Sequence, residues 1–421
     1  MAKHLETILS YGIVFFILLL PWQTHYELIP GINNLTTINL YGFDIVLVIL
    51  LIVFTLVWYR RNSTFDWLPL LLGLGVIVLT LFSAYWAEDK TVAFYYWLHL
   101  SCGLGLMAII SHSYIKLTTI GWTLVTTGLL QTTAIIWQWC TQNVTATKWL
   151  GIAEQLAWES GPAVVVTAAG RWLRAYGTMP HPNSAAGWML LALFAALWLW
   201  SLKPALRQRN WLMLCAALLT TGLVLTFSRT AIVVFGLVLV SGWFVTKINR
   251  QLIGIMAGTG LILGICLWPL VTSRLQPQLT YIEQLSLTER VSQYKEASQL
   301  FLRYWPTGVG IGQYTIAHTN KQQPQRQPVH NVPFMTIIEL GIFGTVCWYA
   351  FIIYLLVQAL TKSARSNGVV RWLALSLIAL LIMSLFDHYL WTNFSLFYGF
   401  CLLLGLISKY TKISQKTITL A

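Results

Sequence analysis

Twelve stretches of nearly uninterrupted apolar residues alternate with short polar breaks along the chain: 6–22, 41–59, 67–85, 92–112, 118–140, 185–202, 211–227, 230–246, 251–271, 333–358, 370–386 and 391–408. Each approaches the roughly 20 residues that a helix needs to cross the hydrocarbon of a bilayer. The pattern therefore predicts an all-α, polytopic integral membrane protein with about twelve transmembrane helices, forming one transmembrane domain over 1–421. Two breaks are long, 141–184 and 272–332, the larger falling between the ninth and tenth spans. The first apolar run is followed by Pro21-Trp22-Gln23 and not by a small-residue cleavage site, so it reads as a retained helix. No internal repeat is visible, which weakens a transporter built from inverted repeats.

Composition agrees: 57% of the residues are hydrophobic and 9% charged, with a mean hydropathy of +0.68. A soluble domain carries about 25% charged residues. The net charge of +13 does not gather on one solvated face, so nucleic acid is not an expected partner. Six scattered cysteines without CxxC spacing imply neither a disulfide framework nor a metal centre. No His/Cys/Asp/Glu cluster with metal-ligand spacing is present, and no cofactor is expected. Charge also fixes orientation. Of the 26 Lys and Arg, nine lie in the two long loops, and Lys90 and Arg229 in short breaks on that same side, which leaves fifteen on the other. Short loops rich in Lys and Arg stay in the cytoplasm. Both termini are thus expected inside, and 141–184 and 272–332 are extracytoplasmic loops.

The polar groups that could do chemistry concentrate in or beside those loops. The first ends in Arg174, then Tyr176-Gly-Thr-Met-Pro-His181-Pro-Asn183, a turn whose Asn183 or Ser184 can cap the helix that follows. Arg174 is either a solvated loop residue or an anion ligand at that helix end; His181 is either part of the turn or part of a site. Arg229, in Ser228-Arg229-Thr230, sits between two spans with almost no loop. There it either snorkels or offers its planar fork to phosphate oxygens. In the larger loop, Ser286-Leu-Thr-Glu289 matches a capping box, predicting an amphipathic helix from Leu287 whose apolar face is Leu287, Val291, Tyr294, Ala297 or Ser298, and Phe301. Arg290, Lys295 and Arg303 flank it, and Pro306 ends it. Thr307-Gly-Val-Gly-Ile-Gly312 lacks the Lys-Ser/Thr of a phosphate loop and reads as a tight irregular turn. His330-Asn331 precedes Pro333, which suits the first turn of the next span. His330 is placed to take a hydroxyl proton at neutral pH, or is structural. Glu339, two turns into that span, needs an Arg, a His or backbone groups as partner. Asp44, Asp387 and His388 lie near span ends and do not suggest a proton relay.

Ser228-Arg229-Thr230, the run ending at Asn183, Trp305-Pro-Thr-Gly-Val-Gly-Ile-Gly312, and above all His330-Asn331 followed by Glu339-Leu-Gly341 resemble the O-antigen ligase and polymerase superfamily. The resemblance covers most of the chain in topology, with its motifs within about 171–345. It implies a GT-C-like glycosyltransferase of the bacterial cytoplasmic (inner) membrane, its active site facing outward. Such an enzyme moves a glycan from undecaprenyl diphosphate to an acceptor, without metal or nucleotide. By position, Arg229 matches the arginine of the Ser-Arg motif, Arg290 (or its competitor Arg303) the loop arginine, and His330 the catalytic histidine. Arg174 fits a further basic position, and Asn331, Glu339 and His181 are candidate substrate-binding residues.

The implied partners are an undecaprenyl-diphosphate-linked glycan, a lipid or glycan acceptor, and membrane lipids. Arg229 and Arg290 would clamp the diphosphate and His330 would orient or deprotonate the acceptor hydroxyl, an attack that inverts the anomeric centre. An O-antigen ligase is the leading reading. A repeat-unit polymerase and an O-linking oligosaccharyltransferase share the motifs, although the latter often carries a C-terminal domain beyond the last span. A polytopic transporter or flippase is the alternative from a different class.

Overall fold

The computed structural model describes residues 2–61, 67–245, 250–275, 281–317, 327–363 and 368–412. Arg326 of the His330 motif lies outside them, as do Lys247, Arg365 and Lys416 of the charge count. The chain is mostly helical. In order come α1 (Ala2–Leu19), β1 (His25–Ile29), β2 (Ile38–Tyr41), α2 (Gly42–Arg61), α3 (Trp67–Tyr85), α4 (Lys90–His112) and α5 (Leu117–Thr141). Then follow β3 (Asn143–Val144), β4 (Gln155–Leu156), β5 (Val164–Thr167), β6 (Gly170–Leu173), α6 (Pro182–Ser201), α7 (Leu206–Leu225), α8 (Arg229–Val245), α9 (Arg250–Cys266) and α10 (Trp268–Leu275). The chain continues through α11 (Tyr281–Tyr304), α12 (Val332–Ser363), α13 (Val369–Ser384), α14 (Tyr389–Thr392) and α15 (Phe394–Tyr410).

A helix occupies each of the twelve apolar stretches. Among the described residues, however, only four helices are long and apolar enough by themselves to cross a membrane: Gly42–Tyr59, Lys90–His112, Pro182–Ser201 and Val332–Lys362. A fifth exists if α9 and α10, bent by 88° at Leu267, count as one broken span. Other apolar helices, such as α8, α13 and α15, fall short of that length. The fold is also not purely helical, because the loops pair into three antiparallel hairpins, β1–β2, β3–β4 and β5–β6.

α6 is the axis of the bundle. Its apolar window is buried throughout, and α5, α7, α8, α13 and α15 pack around it. A helix that is hydrophobic on every side must be surrounded by protein or lipid; here Trp188 and Trp198 are enclosed by neighbouring helices. Its N-cap departs from expectation. The cap is His181, whose Nδ1 accepts from the Asn183 amide at 3.1 Å, with Pro182 in the first turn. Pro182 sets the helical φ one residue early, which frees the Asn183 side chain for another task described below.

α11 also begins earlier than its capping box suggests. Tyr281, Ile282 and Leu285 continue the helical spacing upstream, so Ser286 and Glu289 lie inside the helix. Its packed side is Ala297, Leu300 and Phe301, while Leu287 and Val291 are exposed.

The glycine-rich run forms an interlock with α12. Gly341 interrupts that helix at φ 66° and ψ −177°, freeing backbone groups inside an apolar region. The loop supplies their partners: Val309 donates to the Ile338 carbonyl at 2.8 Å, Gly310 to the Glu339 carbonyl at 2.9 Å, and Ile342 donates to the Trp305 carbonyl at 2.9 Å. Gly308, at φ 75°, passes so close that an added Cβ would lie 2.3 Å from the Glu339 carbonyl oxygen. Gly308→Ala is therefore expected to destabilise the protein by about 1–3 kcal/mol through strain and overpacking. Gly236→Ala, where an added Cβ meets nothing within 4 Å, serves as the control. Thermal unfolding of the two purified variants reads the difference, and equal midpoints would contradict the interlock.

Candidate active site

The C-terminal ends of α5, α7, α9 and α13 and the N-terminal ends of α6, α8, α12 and α15 meet at one end of the bundle. There, α10 packs against β5, joined by Ser273 Oγ donating to the Val166 carbonyl. The polar residues singled out above lie mostly at this end.

His330 sits on the loop into α12, which is capped by Asn331: Asn331 Oδ1 accepts from the Phe334 amide at 2.8 Å. Asn331 Nδ2 donates to the Leu385 carbonyl at 3.2 Å, tying this loop to the end of α13. His330 Nδ1 is paired with Gln293 Oε1 of α11 at 2.8 Å, so Nδ1 carries the hydrogen and Nε2 the lone pair. Its ring meets that of His388 edge to face, with centroids 5.1 Å apart. Burial, and then the nearby Arg290 guanidinium, lower the His330 pKa to about 4, so the imidazole is neutral at pH 7. Arg290 lies three residues before Gln293 on α11 and also bears on Asp387 and His388. Arg303 does not join this group. It is exposed, with its guanidinium over the Tyr304 ring at 5.1 Å, and thirteen residues of helix place it about 20 Å from Arg290 along the axis.

A second line of contacts reaches the same point from α6. Arg174 is buried; its Nε donates to the Thr226 carbonyl at 2.9 Å and its Nη2 to Asn183 Oδ1 at 2.6 Å. Asn183 Nδ2 in turn donates to Asp387 Oδ2 at 2.8 Å. Asp387 Oδ1 accepts from the His388 amide at 2.8 Å. Burial raises the Asp387 carboxyl to about 6, opposed by the Asn183 hydrogen bond and by Arg290. His181 stacks on Tyr389 at 5.2 Å. Burial, and then Arg174, His388, His330 and Arg274, hold its pKa well below the ordinary value.

Arg229 opens α8 and donates from Nη1 to the Arg274 carbonyl at 2.9 Å. The preceding turn is strained, since Phe227 has a left-handed φ of 49°. Two arginines hold it, Arg174 at the Thr226 carbonyl and Arg274 Nη2 at the Phe227 carbonyl, 3.4 Å away. Arg229 thus meets the backbone of Arg274, a residue the sequence did not single out and whose charge bears on His181. Glu339 is fully buried and, among the described residues, paired with neither an Arg nor a His: Trp391 Nε1 donates to Oε2 at 2.8 Å and the Tyr314 amide to Oε1 at 3.2 Å. It anchors the glycine-rich loop to α12 and α14.

Asp387 and His388, which near span ends suggested no relay, are the main addition to the site. Among the described residues they form with His330 a group whose ligand-type atoms all lie within 4.8 Å of one another. More than fifty residues separate them from His330 in sequence, so no local spacing could show the contact.

A mostly helical membrane protein with a histidine, an arginine and a carboxylate gathered at one end of its bundle is the class these features define. Residues 214–349 match the family described as O-antigen ligase, and this match supports an O-antigen ligase-like family for the chain. The matched stretch holds Arg229, Arg290, His330 and Glu339; Arg174, His181, Asp387 and His388 lie outside it. No curated protein matches the chain.

Proposed function

We propose that the protein is a glycosyltransferase of the O-antigen ligase type, moving a glycan from undecaprenyl diphosphate to an acceptor hydroxyl on the outer face of the cytoplasmic membrane. The observation that carries this reading is the neutral His330, its Nδ1 held by Gln293 and its Nε2 left as a base, within the field of Arg290. In the proposed step the acceptor oxygen bonds to the anomeric carbon as the bond from that carbon to the phosphate oxygen breaks. The acceptor proton passes to His330 Nε2, and the electron pair leaves on undecaprenyl diphosphate. Arg290 and Arg229 stabilise that charge, the task of preorganised cations in a desolvated site. Attack opposite the leaving group inverts the anomeric centre. Arg174 and Asn183 hold Asp387 in place behind the histidines.

The test uses purified protein in lipid vesicles, supplied with undecaprenyl-diphosphate-linked glycan and, in parallel, lipid A core, a second lipid-linked repeat, or a peptide. Transfer to lipid A core without added metal is expected. Transfer to the lipid-linked repeat instead would make the protein a polymerase. A transporter has one observation in its favour, the His99 Nδ1–Asp44 Oδ1 pair at 3.6 Å within α4 and α2. Movement of the lipid-linked glycan across the membrane without transfer would establish that reading.

A further inference from the structure

We propose that His330, His388 and Asp387 form a binding site for a divalent transition-metal ion of the zinc class, and that its occupation stops the transfer reaction. The inhibitory half rests on the proposed function; the binding half does not. Three observations carry the site. First, His330 from the loop into α12 and the adjacent Asp387 and His388 from the loop after α13 bring two imidazoles and one carboxylate together, their ligand-type atoms all within 4.8 Å of one another.

Second, both rings present the same nitrogen. His330 Nδ1 is held by Gln293 Oε1 at 2.8 Å, and His388 Nδ1 by Thr392 Oγ1 at 2.7 Å. The Thr392 hydroxyl also lies 3.3 Å from the His388 carbonyl; with its hydrogen turned to that carbonyl, its oxygen accepts from Nδ1–H and the lone pair falls on Nε2. Oxygen acceptors behind the distal nitrogen are what fix ring and tautomer at metal-ligating histidines.

Third, His388 is only 4% exposed, yet its Nε2 is buried without a hydrogen-bond partner among the described residues. Buried polar atoms are satisfied as a rule, and a metal ion would satisfy this one. The carboxylate is equally prepared. The carboxylate of Asp387 accepts from the Asn183 amide and from the His388 and Tyr389 backbones, which leaves one of its roughly four lone-pair sites for an ion.

The donor set selects the ion. Two imidazoles with one carboxylate favour zinc, copper, nickel or cobalt over magnesium or calcium, which prefer oxygen ligands. Metal–nitrogen distances of about 2.0–2.1 Å require the three groups to draw together around the ion. Arg290 opposes the added positive charge and the Asp387 carboxylate offsets it. A bound ion would take the Nε2 lone pair of His330, the pair that the transfer step needs.

The experiment titrates tag-free protein in detergent with Co2+ and follows its visible ligand-field bands, with Zn2+ as competitor. One bound equivalent is expected in the wild type. Affinity should weaken by at least about tenfold in His388→Ala and in the near-isosteric Asp387→Asn, with Arg303→Ala, exposed and remote from the three residues, unchanged. Circular dichroism confirms that each variant is folded. Wild type and both ligand variants binding alike, or no Co2+ binding at all, would overturn the site. In a parallel assay, excess Zn2+ should halt glycan transfer and EDTA restore it. Binding at the three residues with transfer undiminished would overturn the inhibitory half and, with it, His330 as the base. A protein that never transfers glycan would count against the proposed function and leave the Co2+ result to be read by itself.

Discussion

His330→Ala lowers the turnover of glycan transfer by about 10²–10⁴-fold, the usual contribution of a positioned general base, with little change in KM for the lipid-linked donor. The expectation follows from where the proton goes. With Nδ1 committed to Gln293 and the pKa lowered to about 4, the ring offers Nε2 as a base at any pH near neutrality. The cap of α12 rests on Asn331, so removing the imidazole should leave the helix in place. The pH profile supplies a second readout. His330 gains its proton as pH falls through about 4, and the Asp387 carboxyl as it falls through about 6, so kcat/KM should be flat from pH 7 down to about 6 and decline below. Wild-type turnover in the alanine variant would remove His330 from the mechanism. An acid limb centred above pH 7 would contradict its depressed pKa.

Arg290→Ala should cost on the order of 10²–10³-fold in kcat, the scale for losing one preorganised donor to a developing negative charge. Arg303→Ala should stay within about twofold, as exposed positions generally do. The two arginines lie on one helix, and sequence alone leaves both as candidates for the loop arginine. Only Arg290 reaches the histidine group, whereas Arg303 lies over Tyr304 at the far end. Steady-state kinetics on the pair decides between them. Equal losses, or a larger loss at Arg303, would mean that the helix swings on binding substrate and that the arrangement described here is not the reacting one.

The elements of this fold were legible where physics is local. A run of apolar residues must become a helix in lipid to satisfy its own backbone, so the twelve stretches could be read directly, and Pro333 marked the first turn of α12. The length of each span was less legible, since turns and breaks such as the bend at Leu267 shorten helices without altering composition. The three hairpins escaped notice because two-to-five-residue strands in irregular loops carry little alternation to detect. In the candidate site, single residues were visible through cost: an arginine between spans, a histidine before a helix. Their partners were not. Gln293, Arg274, Asp387 and His388 are ordinary in their local context and acquire meaning only when α11, α10 and the loop after α13 close over the same end of the bundle.

The interlock between the glycine-rich loop and α12 limits how the length of this protein can vary. Between Trp305 and Tyr314, Trp305, Val309, Gly310, Gly312 and Tyr314 are each matched to a particular carbonyl, amide or carboxylate of the helix. One inserted residue would put each donor out of step with its acceptor. The turn of the β5–β6 hairpin, at 167–170, has no such counterpart and can lengthen at little expense. Insertions and deletions should therefore be absent from the first segment and frequent in the second when sequences of this kind are compared.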